Sequence, residues 1–253
     1  MVLCMLLGQA FGHAATIQFV TNPNNSLVTD ASGSHAENAS VTFITSLNQL
    51  EISVTNLQAE TDGDIQTINA IDWLLTNPSG PAPAQPTSVT LATSGYANLG
   101  YPVTITKNGV TPVAGGLAGI TSHWALYTTA APNSSSAGAQ ITGGTQLTTI
   151  SGGSPTQTII GDPPYRVNGS ITNHNPFLET GANLRIVCVI TFAAGSNVTA
   201  DTTVSQARLS FGTMFATGQE LDLINSVPEP SPVALLSGGM TLLLLLRRRP
   251  NRH

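Results

Sequence analysis

Charged side chains make up only 8% of the 253 residues, against about 25% in ordinary soluble domains. Lys107 is the single lysine, and glutamate is sparse. Those two residues build the usual solvated face of a cytosolic helical protein, so an architecture of amphipathic surface helices is excluded. Cysteine is almost lacking: Cys4 and Cys188 stand in separate apolar stretches. With Cys4 in a segment expected to be removed, no internal disulfide remains, and the fold must rely on its core. Ahead of the C-terminal tail the bases are only Lys107, Arg166, Arg185 and Arg208, against twelve acids. Such a body has no basic face, which argues against nucleic acid as a partner. Catalytic signatures are missing too. There is no Walker loop, no G-x-G-x-x-G after a strand, no HExxH and no CxxC, and Ser154 in "GGSPT" lacks the closing glycine of a nucleophile elbow. The chain reads as non-enzymatic and without a cofactor.

What is present is glycine (24), proline (16) and a Ser/Thr/Asn-rich polar complement. Short hydroxyl and amide side chains compete for backbone hydrogen bonds and favour strands and turns over helices. Period-two alternation runs through the body. In "LEISVTNL", Leu50, Ile52 and Val54 share a face, with Glu51, Ser53 and Thr55 on a solvated one. In "NLRIVCVITFAA", Leu184, Ile186, Cys188, Ile190 and Phe192 share a face. Val187 and Val189 cover the other, as in a central strand. Ala207, Leu209 and Phe211 repeat the pattern. Weaker strands are expected at Ile17–Val20, Val41–Thr45, Thr67–Leu75, Val89–Ala92, Val103–Thr106, Trp124–Thr128 and Thr156–Ile160. Asn77–Ser88 and Ala130–Gln146 read as long loops. No repeat of 20–50 residues is evident. Together these predict an all-β fold, a single antiparallel β-sandwich or jelly-roll-like ectodomain over residues 15–226.

The two ends carry addresses. "MVLCMLLGQAFGHAATIQF" has an apolar start and small residues at Gly12 and Ala14, the pattern of a secretory signal peptide over residues 1–14 cut before Ala15. It is short and lacks a basic n-region; a start codon lying further upstream would account for both. At the other end, Val227–Leu246 is 20 residues long, about 30 Å as a helix and enough to cross a bilayer, while its clean apolar core from Ser231 is nearer ~24 Å. Its leucines and valine favour insertion by about 4 kcal/mol before Pro232, Ser237, Gly238 and Gly239 subtract from it. Arg247, Arg248, Arg249 and Arg252 follow, half of all the bases. The positive-inside rule puts them in the cytoplasm as a stop-transfer cluster and everything before Val227 outside.

Val227-Pro228-Glu229-Pro230, then an apolar helix, then a terminal arginine cluster resembles the PEP-CTERM sorting signal. The likeness covers residues 227–253. It implies a partner, exosortase, a membrane-embedded cysteine transpeptidase/protease of Gram-negative bacteria. By the resemblance, Val227–Pro230 is the recognition motif and processing occurs near it. The prolines suit that role by holding one isolated carboxylate in an extended segment. The segment Val167–Thr213 also loosely resembles ectodomains that precede such tails. The resemblance implies a protein exported across the inner membrane, first held there by its C-terminal helix and then sent to the cell surface or outside. Its expected duty is structural or adhesive, within an exopolysaccharide, biofilm or floc matrix.

Alternatives stay open at the level of residues. His123, Trp124 and Tyr127 offer a candidate sugar-stacking surface, which would make the body a carbohydrate-binding module; the competing reading is aromatic core with a histidine at its edge. Glu60, Asp62 and Asp64 around Gly63 are a weak calcium candidate, set against a plain solvated acidic turn, since six or more oxygens are needed. His174 in "TNHNPF" reads as a turn residue capping its own loop. The third and least favoured alternative is a secreted glycosidase or lyase using a carboxylate pair.

Overall fold

The protein is known here as a computed structural model, which describes residues 15–226 apart from 25, 31–32, 60, 62–65, 79, 129–140, 150–154, 166–170, 172, 182 and 213–218. The expected signal peptide (1–14) and the tail (227–253) lie outside the described residues, as do Glu60, Asp62 and Asp64. Among the described residues no helix is long and apolar enough to cross a membrane.

The fold is all-β. In chain order the strands are β1 (Ala15–Thr21), β2 (Leu27–Asp30), β3 (Gly33–Ala36), β4 (Ala39–Ser46), β5 (Gln49–Asn56), β6 (Ile68–Thr76), β7 (Pro86–Leu91), β8 (Tyr101–Thr106), β9 (Gly109–Pro112), β10 (Ala125–Tyr127), β11 (Thr145–Thr148), β12 (Ile159–Ile160), β13 (Phe177–Glu179), β14 (Ile186–Phe192), β15 (Thr203–Phe211) and β16 (Glu220–Asn225). A short 3-10 turn, Gly116–Gly119, follows β9. One curled sheet runs β7-β14-β5-β4-β1-β16-β15-β6-β12-β13-β8-β9, with β10 and β11 laid along β6. β2 and β3 form a separate hairpin. The pairing is antiparallel except between β12 and β13, which makes the sheet mixed.

The curl brings the two halves of the sheet over a common core. Phe43 on β4 lies 6.4 Å from Trp73 on β6, and Phe19 on β1 meets Phe43 edge-on at 5.7 Å. Such offset and T-shaped ring pairs suit the aromatic quadrupole. Leu50, Ile52 and Val54 from β5, Ile186, Cys188 and Ile190 from β14, and Leu209 and Phe211 from β15 fill the same cluster, as alternation predicts. A smaller cluster lies beneath β8 and β13, with Val103, Ile105, Ile160, Tyr165, Ile171 and Phe177.

Several expectations are corrected. The second face of β5 is only partly solvated: Ser53 is buried, while Glu51 and Thr55 are half-buried. The expected loop Asn77–Ser88 ends early, because Pro86 already starts β7 and pairs with Phe192. Proline fits there because the site is the first residue of an edge strand. The expected loop Ala130–Gln146 gives way to β11 at Thr145, whose partner is Trp73. In β15, Val204 and Ala207 are both buried although three apart, because a bulge between Val204 and Gln206 shifts the phase by one residue. The ring Nδ1 of His174 lies 3.1 Å from the Pro155 carbonyl, 19 residues away, so the histidine also ties its turn to a distant loop.

The strand directions define two poles. At one end gather Ala15, the β4–β5 turn Leu47–Asn48, the loop from Asn77 to Gln85, and the loop from Ala193 to Thr202. Ala15 N–H donates to the Ala200 carbonyl at 3.2 Å, and Asn48 N–H to the Val198 carbonyl at 3.1 Å. β16 runs antiparallel to β1 toward this same end, and Ser226 N–H donates to Gln18 O at 2.9 Å. The far pole carries the segments between β1 and β4 and between β5 and β6.

Candidate functional site

An open cleft of about 220 Å³ lies at the pole where the chain emerges from β16, lined by Asn77, Pro78, Gly80, Pro81, Asn197, Thr199 and Asp201. Two loops make it, and one amide holds them together. Asn77 Nδ2 donates to the Pro81 carbonyl at 2.7 Å and to the Asn197 carbonyl at 2.9 Å, while its Oδ1 accepts from the Thr202 hydroxyl at 2.7 Å. A primary amide has two donors and one acceptor oxygen, so both donors are used and the oxygen is engaged. The second loop is set by its own short bonds: Thr199 N–H donates to Thr202 Oγ1 at 2.9 Å, and Asp201 N–H to Thr199 Oγ1 at 3.2 Å. Asn197 sits at φ 63°, a left-handed conformation that asparagine tolerates. The exposed side chains of Asn197, Thr199 and Asp201 thus face a wall with two proline rings. Apolar ring faces beside hydroxyl, amide and carboxylate groups suit a polyhydroxylated ligand.

The predicted aromatic surface is not assembled. Trp124 is only 5% exposed and packs into the main core, its indole N–H donating to the Gln157 carbonyl at 3.1 Å. His123 is exposed, with Nδ1 2.6 Å from Thr156 Oγ1, and Tyr127 is half-buried on β10. A sugar ring has no access to the Trp124 face, so these three side chains form no stacking platform. This is the aromatic-core alternative, with the histidine at its edge.

Carboxylates gather at two further places. In register across β11, β6, β15 and β16 stand Gln146, Asp72, Arg208 and Asp222. Arg208 donates to Asp222 at 2.8 Å and to Glu220 at 3.3 Å. Asp72 is fully buried; burial pushes its carboxyl up to about 7, eased by the nearby Gln146 amide, although neither oxygen makes a hydrogen bond of full geometry. Where β8, β12 and β13 meet, buried Glu179 accepts from the Tyr101 hydroxyl and from the Tyr165 hydroxyl, the latter at 2.5 Å. The bond to Glu179, with burial second, pushes the Tyr101 phenol up to about 12. Burial is the larger cause of the upward shift at Tyr165. Asp72 and Glu179 are enclosed within strand ladders, whereas Asp222 stands open to solvent.

Sequence reasoning placed Asn77 in a loop and passed over Asn197, Thr199 and Asp201. The available signal was the density of Asn, Asp, Thr, Gly and Pro in "TNPSGP" and "SNVTADT", residues that close turns through their own side chains. That composition names two loops without showing that they meet. Set against protein-family models, curated proteins and solved structures, the chain finds no match, so its functional reading rests on its own residues.

Proposed function

We propose that the chain is an exported bacterial surface or extracellular-matrix protein of structural or adhesive duty, processed by an exosortase at its C-terminal segment. The observation that carries the reading is the order Val227–Pro230, apolar segment, then Arg247, Arg248, Arg249 and Arg252. The body is consistent with it. An all-β fold with few charges and a Ser/Thr/Asn surface suits a protein outside the cytoplasm. The sharing of one core by β4 and β6, from the two halves of the curled sheet, favours a sandwich of jelly-roll kind.

The test is the intact mass of the mature protein recovered from envelope and medium. A mass ending near Pro228–Pro230 is the expected result. If every molecule keeps its arginines, processing is refuted and a permanent single-span anchor takes its place.

A second reading is a carbohydrate-binding module of the exopolysaccharide matrix, and the cleft between Asn77 and Asp201 favours it. A glycan array separates the two. Binding by the wild type that is lost in Asp201→Ala and kept in Trp124→Phe supports the module; an array blank for the wild type removes it.

A further inference from the structure

We propose that the pole bearing the cleft is a membrane-apposed surface, seated on phospholipid headgroups for as long as the tail remains attached. This rests on reading residues 227–253 as a membrane segment. Four observations converge on it.

The first is where the chain leaves. β16 runs toward this pole, and Ser226, the last described residue, is bonded to Gln18 on β1. Only Val227–Pro230 then separate the body from the apolar stretch beginning at Ser231. Four extended residues span about 14 Å. The pole is therefore kept close to whatever bilayer that stretch enters.

The second is charge. The turn Leu47–Asn48 and the loops 77–85 and 193–202 contain one ionisable side chain, Asp201. An anionic leaflet repels acids within a Debye length, so a surface carrying one carboxylate meets little electrostatic resistance there.

The third is Leu47. It stands at the tip of this pole and is 75% exposed, more than any other large hydrophobic side chain among the described residues. The fourth is that its turn is fastened. Asn48 holds φ 55°, its N–H donates to the Val198 carbonyl, and its Oδ1 accepts from Ser196 Oγ at 3.0 Å. A fastened turn presents its side chain in one place, at low entropic penalty when it meets the interface.

One consequence concerns the cleft. Asn197, Thr199 and Asp201 face the headgroups while the tail is present and become open to solvent when it is cut. Processing would thus both release the protein and uncover its polar cleft.

The experiment uses the full chain with Cys4→Ser. A single new cysteine, at Leu47→Cys, at Asp201→Cys on the neighbouring loop, or at Asn24→Cys on the far pole, carries a fluorophore. Cys188 is buried, its thiol pushed up to about 12 by that burial, and stays unlabelled. The chain is reconstituted into phosphatidylethanolamine/phosphatidylglycerol vesicles containing lipid spin-labelled at the headgroup. The expected result is quenching several-fold stronger at positions 47 and 201 than at 24. Equal quenching at the two poles, or stronger quenching at 24, in chains that float with the vesicles overturns the inference and leaves the tail reading intact. Chains that fail to float overturn the tail reading, and the inference falls with it.

Discussion

Glu37 and Asp72 place two carboxyl groups in the interior with no hydrogen-bond partner on either oxygen. Burial pushes Glu37 from 4.5 up to about 9 and Asp72 from 3.8 up to about 7. A carboxyl with a raised folded value keeps its proton where the unfolded chain has already lost it. Each therefore contributes stability that is fully present below about pH 4, and that declines as pH rises toward the folded value. The wild type is expected to lose stability between pH 5 and 9, by up to about 1.4 kcal/mol per pH unit for each group over its own window. Asp72→Asn should flatten the part below pH 7 and Glu37→Gln the part extending to pH 9. Urea midpoints measured across that range check this, and a wild type that gains stability from pH 5 to 9 would sink it.

Among the elements, β5 shows how the two halves of the curled sheet are stitched. Asn56 closes β5, and its side chain is wholly buried. Its Nδ2 donates to the Gln66 carbonyl at 2.8 Å and the Ile159 carbonyl at 3.1 Å, and its Oδ1 accepts from Gln58 N–H at 2.9 Å. Thr180, after β13, joins the same knot by donating to the Asn56 or the Ile160 carbonyl. Asn56→Ala strands two carbonyls and one amide away from water, which predicts a loss of about 2–4 kcal/mol. Thermal unfolding checks it; a drop no larger than that of an exposed Asn24→Ala control would refute the knot. None of this was legible in "VTNLQ", because alternation reports which side of a strand is buried and not what its last residue meets. Alternation shows most clearly in β5, β14 and β15, and the weaker expected strands overlap β1, β4, β6, β7, β8, β10 and β12. β13, of three residues, is too short to carry a period. β11 hides its face in Thr145, Gln146 and Thr148, all buried, where polarity gives no inward signal. β16 did carry one: Leu221 and Leu223 point inward between Glu220 and Asp222.

At the scale of the whole molecule, the two kinds of information divide by location. The proposed reading of the ends draws on a linear order of residue types, which sequence displays directly. The cleft was not legible in that order, because it needs Asn77 and Asn197, 120 residues apart, to meet. The same limit explains the aromatic trio: neighbours along a chain share a surface only if none of them turns inward, and Trp124 does. The body's low charge has a practical outcome as well. With so few charged groups, raising salt from low to physiological ionic strength should shift its midpoint of unfolding by little, since partly exposed ion pairs such as those of Arg208 on β15 and β16 contribute little. A shift as large as that of Asn56→Ala would contradict it.

The pairing of β1 with β16, Phe19 opposite Asn225, has a consequence in time. A chain threaded across a membrane from its N-terminus delivers β1 early, and β4 soon covers one of its edges. Its other edge stays open until β16 emerges, near the end of the passage. Through that interval the half-made sheet offers an unpaired edge, the usual route to misassembly. The strand that seals it lies immediately before the tail, so under the proposed export, completion of the sheet and arrival of the proposed stop-transfer segment are consecutive steps. A molecule held by its tail has, by that order, already received its last strand.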